Sequence, residues 1–88
     1  MKNPFESLFK KDPKTEKIEA NELPEPILRE LESNSIDLKN IKSIEVDMSL
    51  QHVDGRRFYI IKLSDGRRIK IDFIGEGYIV EKFTIEDK

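Results

Sequence analysis

The stretch 56–74 constrains the fold most strongly, because apolar and polar residues alternate along it on both sides of Ser64-Asp65-Gly66. Alternation with a period of two is typical of a strand that buries one face. A three-residue turn with glycine in the left-handed position joins two such strands into a hairpin. The pattern therefore predicts an antiparallel hairpin with Ile61 opposite Ile69. Its inward side chains are Tyr59, Ile61, Leu63, Ile69, Ile71 and Phe73.

A further strand is predicted on the N-terminal side of this hairpin, from about Lys42 to Gln51. Asp54-Gly55 is a common signal for a tight turn, so we expect it to join this strand directly to the hairpin. The register that keeps apolar side chains on one face places Leu50 opposite Tyr59, Met48 opposite Ile61 and Val46 opposite Leu63.

The last predicted strand follows Gly75-Glu76-Gly77, which we interpret as a turn. This turn places Phe73 opposite Ile79 and Ile69 opposite Phe83, with Val80 on the outer face. The same register points Glu81 toward the core. A bulge or a strand end is therefore expected near Glu81.

A short helix is predicted before the strands. Leu23-Pro24-Glu25-Pro26 opens it, since proline is tolerated where the first amides have no partner within the helix. An apolar stripe follows, and Ser33-Asn34 ends the helix. The stripe consists of Ile27, Leu28 and Leu31. A helix this short needs the sheet for its stability.

The predicted fold class is α+β, with residues 22–86 forming one domain: a four-stranded antiparallel meander with one short helix packed on one face. Residues 1–21 precede it as an amphipathic segment and a linker. Phe5, Leu8 and Phe9 recur at helical spacing, so this segment packs on its own domain, mediates self-association, or enters a partner's groove. The Lys/Glu-rich stretch 10–21 has the composition of a flexible linker.

The composition argues against several kinds of site. The chain has no cysteine and one histidine, so neither a disulfide nor a closed zinc site is expected. No aspartate-rich calcium loop occurs. No helix is predicted after Gly75-Glu76-Gly77, as a phosphate loop requires. Since no nucleophile elbow or acid–base set is found either, we expect no metal, no cofactor and no catalytic activity.

The outer face of the predicted sheet is the candidate binding surface, because apolar and basic side chains share it. The candidates are Phe58, Ile60, Lys62, Arg68, Lys70 and Tyr78, with Ile74 and Val80 beside them. Such a patch favours a protein or peptide partner. Aromatic and basic residues also combine on RNA-binding sheets. However, Asp47 and Asp72 share this face and the net charge is −2, so nucleic acid is not an expected partner.

Two arginine doublets, Arg56-Arg57 and Arg67-Arg68, flank the central hairpin. They lie at opposite ends of it and do not predict a single anion site. We interpret them as solvated charges at the strand ends, where charge discourages edge-to-edge aggregation. His52 lies in the preceding turn region, with no nucleophile or ligand partner identifiable in the sequence.

Three functions follow from these features. The first is a small non-catalytic module that binds a protein or peptide through the outer sheet face or a sheet edge. The second is a structural or assembly protein that forms a homo-oligomer through Phe5, Leu8 and Phe9. The third, which the acidic residues disfavour, is a weak nucleic-acid binder that uses Lys62, Arg68 and Lys70.

A set of motifs between Leu23 and Glu81 resembles one known family. Leu23-Pro24 opens a short helix, KSIEVD at 42–47 forms a strand, an aromatic-led strand precedes Asp65-Gly66, and IDFIGEGYIVE occupies 71–81. Together these motifs are similar to a PepSY-like domain. The resemblance implies a helix packed on an antiparallel sheet and a binding or inhibitory role. Phe73-Ile74 and Glu76 depart from the usual ending of the family, and its common export signal is not seen.

No stretch of the sequence has the apolar length of a signal peptide or a membrane span. If Met1 is the natural start, we expect the protein to be cytoplasmic.

Overall fold

The computed structural model describes residues 15–87, which form an antiparallel sheet with a few helices. The five strands lie in the sheet in chain order: β1 (Thr15–Ile18), β2 (Ile41–Asp47), β3 (Arg56–Leu63), β4 (Arg68–Ile74) and β5 (Ile79–Glu86). Helix α1 spans Glu25–Ser33 and the single-turn helix α2 spans Gln51–Asp54, with 3-10 turns at Ala20–Glu22 and Leu38–Asn40. The predicted small α+β class is confirmed.

Helix α1 begins and ends where the sequence predicts. Pro24 is its N-cap and Pro26 lies in its first turn, where a missing N–H costs no helical hydrogen bond. Asn34 is its C-cap, and the side-chain amide of Asn34 donates to the carbonyl of Glu30 at 2.7 Å. The buried stripe of α1 faces the sheet, so the helix is held by packing rather than by its own stability.

The core lies between α1 and one face of the sheet, called here the inner face. Its buried apolar side chains are Leu23, Ile27, Leu31, Ile36, Ile44, Val46, Tyr59, Ile61, Leu63, Ile69, Ile71 and Phe73. All six inward residues predicted for the central hairpin are among them. Within residues 15–87 no polar or charged residue is buried, so the inner face stabilises the fold almost wholly through apolar packing.

The sheet has five strands rather than the predicted four. The additional strand is β1, which lies within the stretch predicted to be a flexible linker and pairs antiparallel with β2. Ile18 lies opposite Ile44 and packs against the core, whereas Lys17 faces Glu45 on the other side of the sheet. With only one large apolar residue in four, this edge strand lacks the alternation by which the other strands are recognised.

The prediction for β2 is wrong in length and in register. β2 ends at Asp47, and the chain then forms α2 in place of a tight hairpin turn. Gly55 ends α2 in the left-handed region with a φ of 72°. Val46 therefore lies opposite Tyr59, where Leu50 was expected, and Leu50 is exposed. An even shift keeps the side chains of β2 on their predicted faces.

The central hairpin has the predicted register. Ile61 lies opposite Ile69 and Tyr59 opposite Ile71. Gly66 has a φ of 97°, as the three-residue turn requires.

The turn between β4 and β5 is longer than predicted, because Tyr78 joins it with a φ of 53°. Ile79 consequently lies opposite Ile74, and Val80 lies opposite Phe73. The predicted pairing of Phe73 with Ile79 is therefore wrong. Val80 also packs against the core instead of lying on the outer face.

A bulge in β5 restores the alternation beyond this turn. Phe73 pairs with Val80 and Asp72 pairs with Lys82, so Glu81 is the extra residue. The expectation of a bulge or strand end near Glu81 is thus confirmed, and Glu81 is exposed. Phe83 then lies opposite Ile71 rather than the predicted Ile69.

Phe5, Leu8 and Phe9, the predicted self-association segment, lie outside the described residues. Within the described part of the chain, no helix is long and apolar enough to span a membrane.

Candidate functional site

The outer face of the sheet, opposite α1, contains a groove across β3, β4 and β5. Its volume is about 550 Å³. The residues that line it are Phe58, Tyr59, Ile60, Lys70, Ile71, Asp72, Lys82, Thr84 and Glu86. The groove therefore lies on the surface that the alternation of β3 and β4 predicted as the candidate binding face.

The centre of the groove is apolar. Phe58 and Ile60 alternate with the buried residues of β3, so their side chains emerge on the outer face, where both are half-buried. Phe58 lies opposite Asp72, and Ile60 lies opposite Lys70, as predicted. Since the central strand carries both apolar side chains, strands on either side shield them partly, and the exposed remainder is available to a ligand.

The surface at and just beyond one end of the groove is basic. Lys62 lies opposite Arg68, which puts two cations side by side beyond Ile60. Neither cation has a carboxylate within 4 Å among residues 15–87. Lys70 pairs with Glu86 at 3.4 Å, but both side chains are substantially exposed, so this pair is weak. Three of the predicted basic candidates thus lie together at one end.

A cluster of charges around Arg56, called here the Arg56 cluster, lies beyond the opposite end, and its member Asp72 lines the groove. The guanidinium of Arg56 donates to Asp72 at 2.7 Å, to Glu81 at 2.8 Å and to Asp54 at 3.3 Å. Its side chain is 20% exposed. One guanidinium against three carboxylates gives the cluster itself a net charge of −2, and Lys82 lies beside it, opposite Asp72.

Four different elements each supply one member of the Arg56 cluster. Arg56 begins β3, Asp72 lies in β4, and Asp54 ends α2. Glu81 reaches the cluster because it is the extra residue of the β5 bulge. A bulge commonly redirects a side chain in this way. The ion pairs of the cluster therefore connect β5 and α2 to the central hairpin on the outer face.

The charges of the cluster stabilise one another's ionised forms. The hydrogen bond from Arg56, followed by the charge of Arg56, lowers the pKa of the Glu81 carboxyl from its ordinary value of 4.5. In return, the hydrogen bond to Glu81 is the main cause that raises the pKa of Arg56. Glu81 is therefore ionised throughout the neutral and mildly acidic range.

The interpretation of the arginine doublets as solvated charges is wrong for Arg56 and Arg57. Arg56 is largely enclosed by its carboxylate partners, and Arg57 is half-buried, with its guanidinium donating to the hydroxyl of Tyr59 at 3.4 Å. The second doublet is more exposed: Arg68 lies at the surface, and the side chain of Arg67, which is 41% exposed, pairs with the exposed Asp65 at 2.9 Å. The backbone N–H of Arg67 is the largest cause that lowers the pKa of Asp65.

Tyr78 does not lie with the other candidate residues. Its hydroxyl accepts a hydrogen bond from the backbone N–H of Glu25 at 3.3 Å, and its ring packs edge-to-face on Phe73 at 5.7 Å. Both neighbours belong to the α1 side of the sheet. Tyr78 is therefore removed from the outer-face set, although it remains well exposed.

The remaining candidates for chemistry are dispersed. His52 is exposed in α2, and no cluster of three or more histidine, cysteine or acidic residues suited to a metal ion occurs within residues 15–87. The Arg56 cluster contains three carboxylates, but the guanidinium occupies the position between them.

No protein-family model, curated protein or solved structure was found to match this chain.

Proposed function

We propose that this protein is a small non-catalytic binding module whose outer sheet face binds an extended peptide or a segment of another protein. The observation that carries the proposal is the groove of about 550 Å³ with Phe58 and Ile60 at its centre. A patch of apolar side chains rimmed by polar ones is typical of interaction surfaces. Apolar contact supplies most of the affinity in such surfaces, and the polar rim supplies orientation.

The two charged ends of the groove favour a ligand of a particular pattern. Lys62 and Arg68 lie at the basic end, and the Arg56 cluster lies at the acidic end. From Arg56 to Lys62 the strand rises by about 20 Å, at about 3.3 Å per residue. A segment of about six extended residues matches this length. We therefore infer a ligand with apolar residues in its middle, an acidic residue at one end and a basic residue at the other.

Selection from a displayed library of random peptides, with the full chain immobilised, tests this proposal. The selected peptides should carry the apolar centre with opposite charges at the two ends. The affinity of one selected peptide is then compared between the natural chain and the double variant Phe58→Ser/Ile60→Ser. We expect the double variant to lose binding at least about tenfold, because it removes the apolar contact.

Ile79→Ser is the matched control, since Ile79 is an exposed apolar residue of the same face that does not line the groove. This variant should bind the peptide as the natural chain does. Circular dichroism and thermal melting verify that all variants are folded. Unchanged affinity in the folded double variant, or a selection that enriches no peptide, would contradict the proposal.

The other functions stay predictions. Self-association through Phe5, Leu8 and Phe9 concerns residues outside the described range. Nucleic-acid binding through Lys62, Arg68 and Lys70 has one supporting feature, the adjacent cations at the basic end. It is disfavoured because Phe58 is the sole aromatic side chain on the outer face of the described sheet, and stacking platforms use several. The likeness to PepSY-like domains also stays a prediction.

A further inference from the structure

Strand β5 is an edge of the described sheet, and it presents the longer of the two edges. It spans eight residues, Ile79–Glu86, whereas β1 at the opposite edge spans four. Backbone N–H and C=O groups along the free side of such a strand can pair with another chain. Two large apolar side chains of this strand are exposed: Ile79 by 54% and Ile85 by 37%.

The bulge divides this edge into an irregular and a regular part. Glu81 interrupts the regular pairing, so a new strand can extend the sheet without distortion only along Lys82–Glu86. In this segment Lys82, Thr84 and Glu86 lie on the outer face, and Phe83 and Ile85 lie on the inner face.

We propose that a second copy of this chain pairs with the β5 edge, antiparallel and about a two-fold axis, with Thr84 opposite Thr84. In this register Lys82 of each copy faces Glu86 of the other. Phe83 of each copy likewise faces Ile85 of the other. The segment is thus complementary to itself on both faces.

Alternative registers lack this complementarity. A register shift that keeps the outer side chains of both copies on one face slides one strand by two residues relative to the other. Such a shift in one direction places Phe83 opposite itself and Lys82 opposite Thr84. The opposite shift places Ile85 opposite itself and Glu86 opposite Thr84. Only the Thr84 register pairs opposite charges, and directly opposed charges stabilise a strand pair while like charges destabilise it.

The proposed contact also covers apolar surface that the monomer leaves exposed. Ile85 lies on the inner face opposite Ile69, at the margin of the core, yet more than a third of it is exposed. In the dimer, the phenyl ring of the other copy's Phe83 covers it. Four apolar side chains then join the two cores across the new strand pair.

The dimer also changes the arrangement of the grooves, and the importance of that change rests on the proposed function. Lys82, Thr84 and Glu86 line both the groove and the free edge. Pairing at β5 therefore brings two grooves side by side on one continuous outer face. The dimer itself does not require that either groove binds a ligand.

Sedimentation of the full chain over a wide range of concentrations tests the proposal. We expect a concentration-dependent dimer, weakened about tenfold or more by Lys82→Glu and equally by Glu86→Lys, since each single change opposes like charges at two places. An equimolar mixture of the two single variants should dimerise again. One copy then carries two acidic residues and the other two basic residues, so both cross-copy pairs have opposite charges.

Lys17→Glu is the matched control at the other edge. Lys17 of β1 faces Glu45 in the neighbouring strand, as Lys82 faces Asp72, so both changes place like charges opposite each other within one chain. This control should leave the dimer intact. A chain that stays monomeric at all concentrations overturns the proposal. So does a dimer that is weakened only by Lys17→Glu, or one that neither Lys82→Glu nor Glu86→Lys weakens.

Cross-linking provides a second measurement that does not depend on the charge variants. The chain has no cysteine, so a single introduced thiol reports its own contacts. Thr84→Cys should form a disulfide-linked dimer under mild oxidation, because the two thiols lie opposite each other. Lys82→Cys should cross-link far more slowly, since its counterpart lies four residues away along the paired strand. Equal cross-linking of both variants contradicts the register.

Discussion

The inner and outer faces of the sheet are built from alternate residues of the same strands, yet they differ in how they use charge. The inner face packs buried apolar side chains against α1 and, within the described residues, buries no charged one. The outer face interleaves Phe58 and Ile60 with lysines, arginines and carboxylates, and it retains an open groove. The difference indicates that the inner face provides stability, whereas most residues of the outer face are not needed for the core and are available for recognition.

The Arg56 cluster limits this division, because it lies on the outer face and still contributes to the fold. Its members come from β3, β4, β5 and α2. Substitutions whose expected effects on stability range from large to small can therefore test the comparison of the two faces. Some of them separate stability from binding, and the one at Arg56 tests how the outer face contributes to the fold.

The largest effect is expected for Ile61→Ala on the inner face, compared with Ile60→Ala on the outer face. Ile61 is fully buried, so its truncation leaves a cavity and should lower the free energy of unfolding by about 2–5 kcal/mol. Ile60 is half-buried, and its truncation should cost about 1 kcal/mol or less. Urea denaturation measures both values. Similar losses in the two variants would show that the faces do not differ in this way.

A smaller loss is expected for Gly75→Ala, which tests the contact between the two turns at the acidic end of the groove. A methyl group on Gly75 would lie 2.7 Å from the carbonyl oxygen of Gly55, which also accepts a hydrogen bond from the Gly75 N–H at 3.0 Å. Because backbone atoms cannot yield easily, the change should cost about 1–3 kcal/mol in urea denaturation.

Gly77→Ala is the control for this turn. Its added methyl group would meet a side-chain carbon of Ile79 at 3.3 Å, and that side chain can move aside. The control should lose less stability than Gly75→Ala. Equal losses would indicate that the turn as a whole, rather than the contact with Gly55, tolerates no larger residue.

Arg56→Met should lower the melting temperature at neutral pH, because it leaves three carboxylates together without their cation. The pKa of Glu81 is lowered in the folded chain, so its contribution to stability is present above its ordinary value of 4.5 and is lost as the pH falls through the lowered pKa. The variant lacks that contribution at every pH. The difference in melting temperature between the two proteins should therefore narrow on acidification below pH 4.5; a difference that stays constant would contradict this account.

The smallest effect on stability is expected for Lys62→Ser. This variant tests whether an outer-face residue can change ligand binding without changing stability. Lys62 is exposed and has no carboxylate within 4 Å among residues 15–87, so unfolding free energy should change by less than about 0.5 kcal/mol. Affinity for a selected peptide should nevertheless fall, and its dependence on salt should weaken. Titration calorimetry at two salt concentrations measures both. An unaltered affinity would remove the basic end from the proposed site.

The parts of the fold that were predictable are those in which alternation and turn chemistry agree. The central hairpin is such a part, since its register follows from Gly66 and from six inward apolar residues. Phe58 and Ile60 were placed on the outer face for the same reason. The helix was predictable from its prolines and its apolar stripe.

The remaining parts depend on features that alternation does not encode. Strand β1 has one large apolar residue and forms because β2 offers it an edge. Gly55 is compatible with either a tight turn or the end of a helix, so the register of β2 was misplaced. Tyr78 adopts a left-handed backbone conformation that is uncommon for a residue with a bulky side chain. The Arg56 cluster was missed because it requires both α2 and the orientation of Glu81 at the bulge.

The hydrogen bond from Glu25 to Tyr78 gives this protein an intrinsic optical probe. The chain contains no tryptophan and two tyrosines, so emission excited at wavelengths that phenylalanine does not absorb comes from Tyr59 and Tyr78 alone. Tyr59 is buried in the core, while the hydroxyl of Tyr78 accepts from the first amide of α1. With Tyr78→Phe the emission reports the interior alone. Subtracting that signal from the signal of the natural chain isolates the junction between the last turn and the helix.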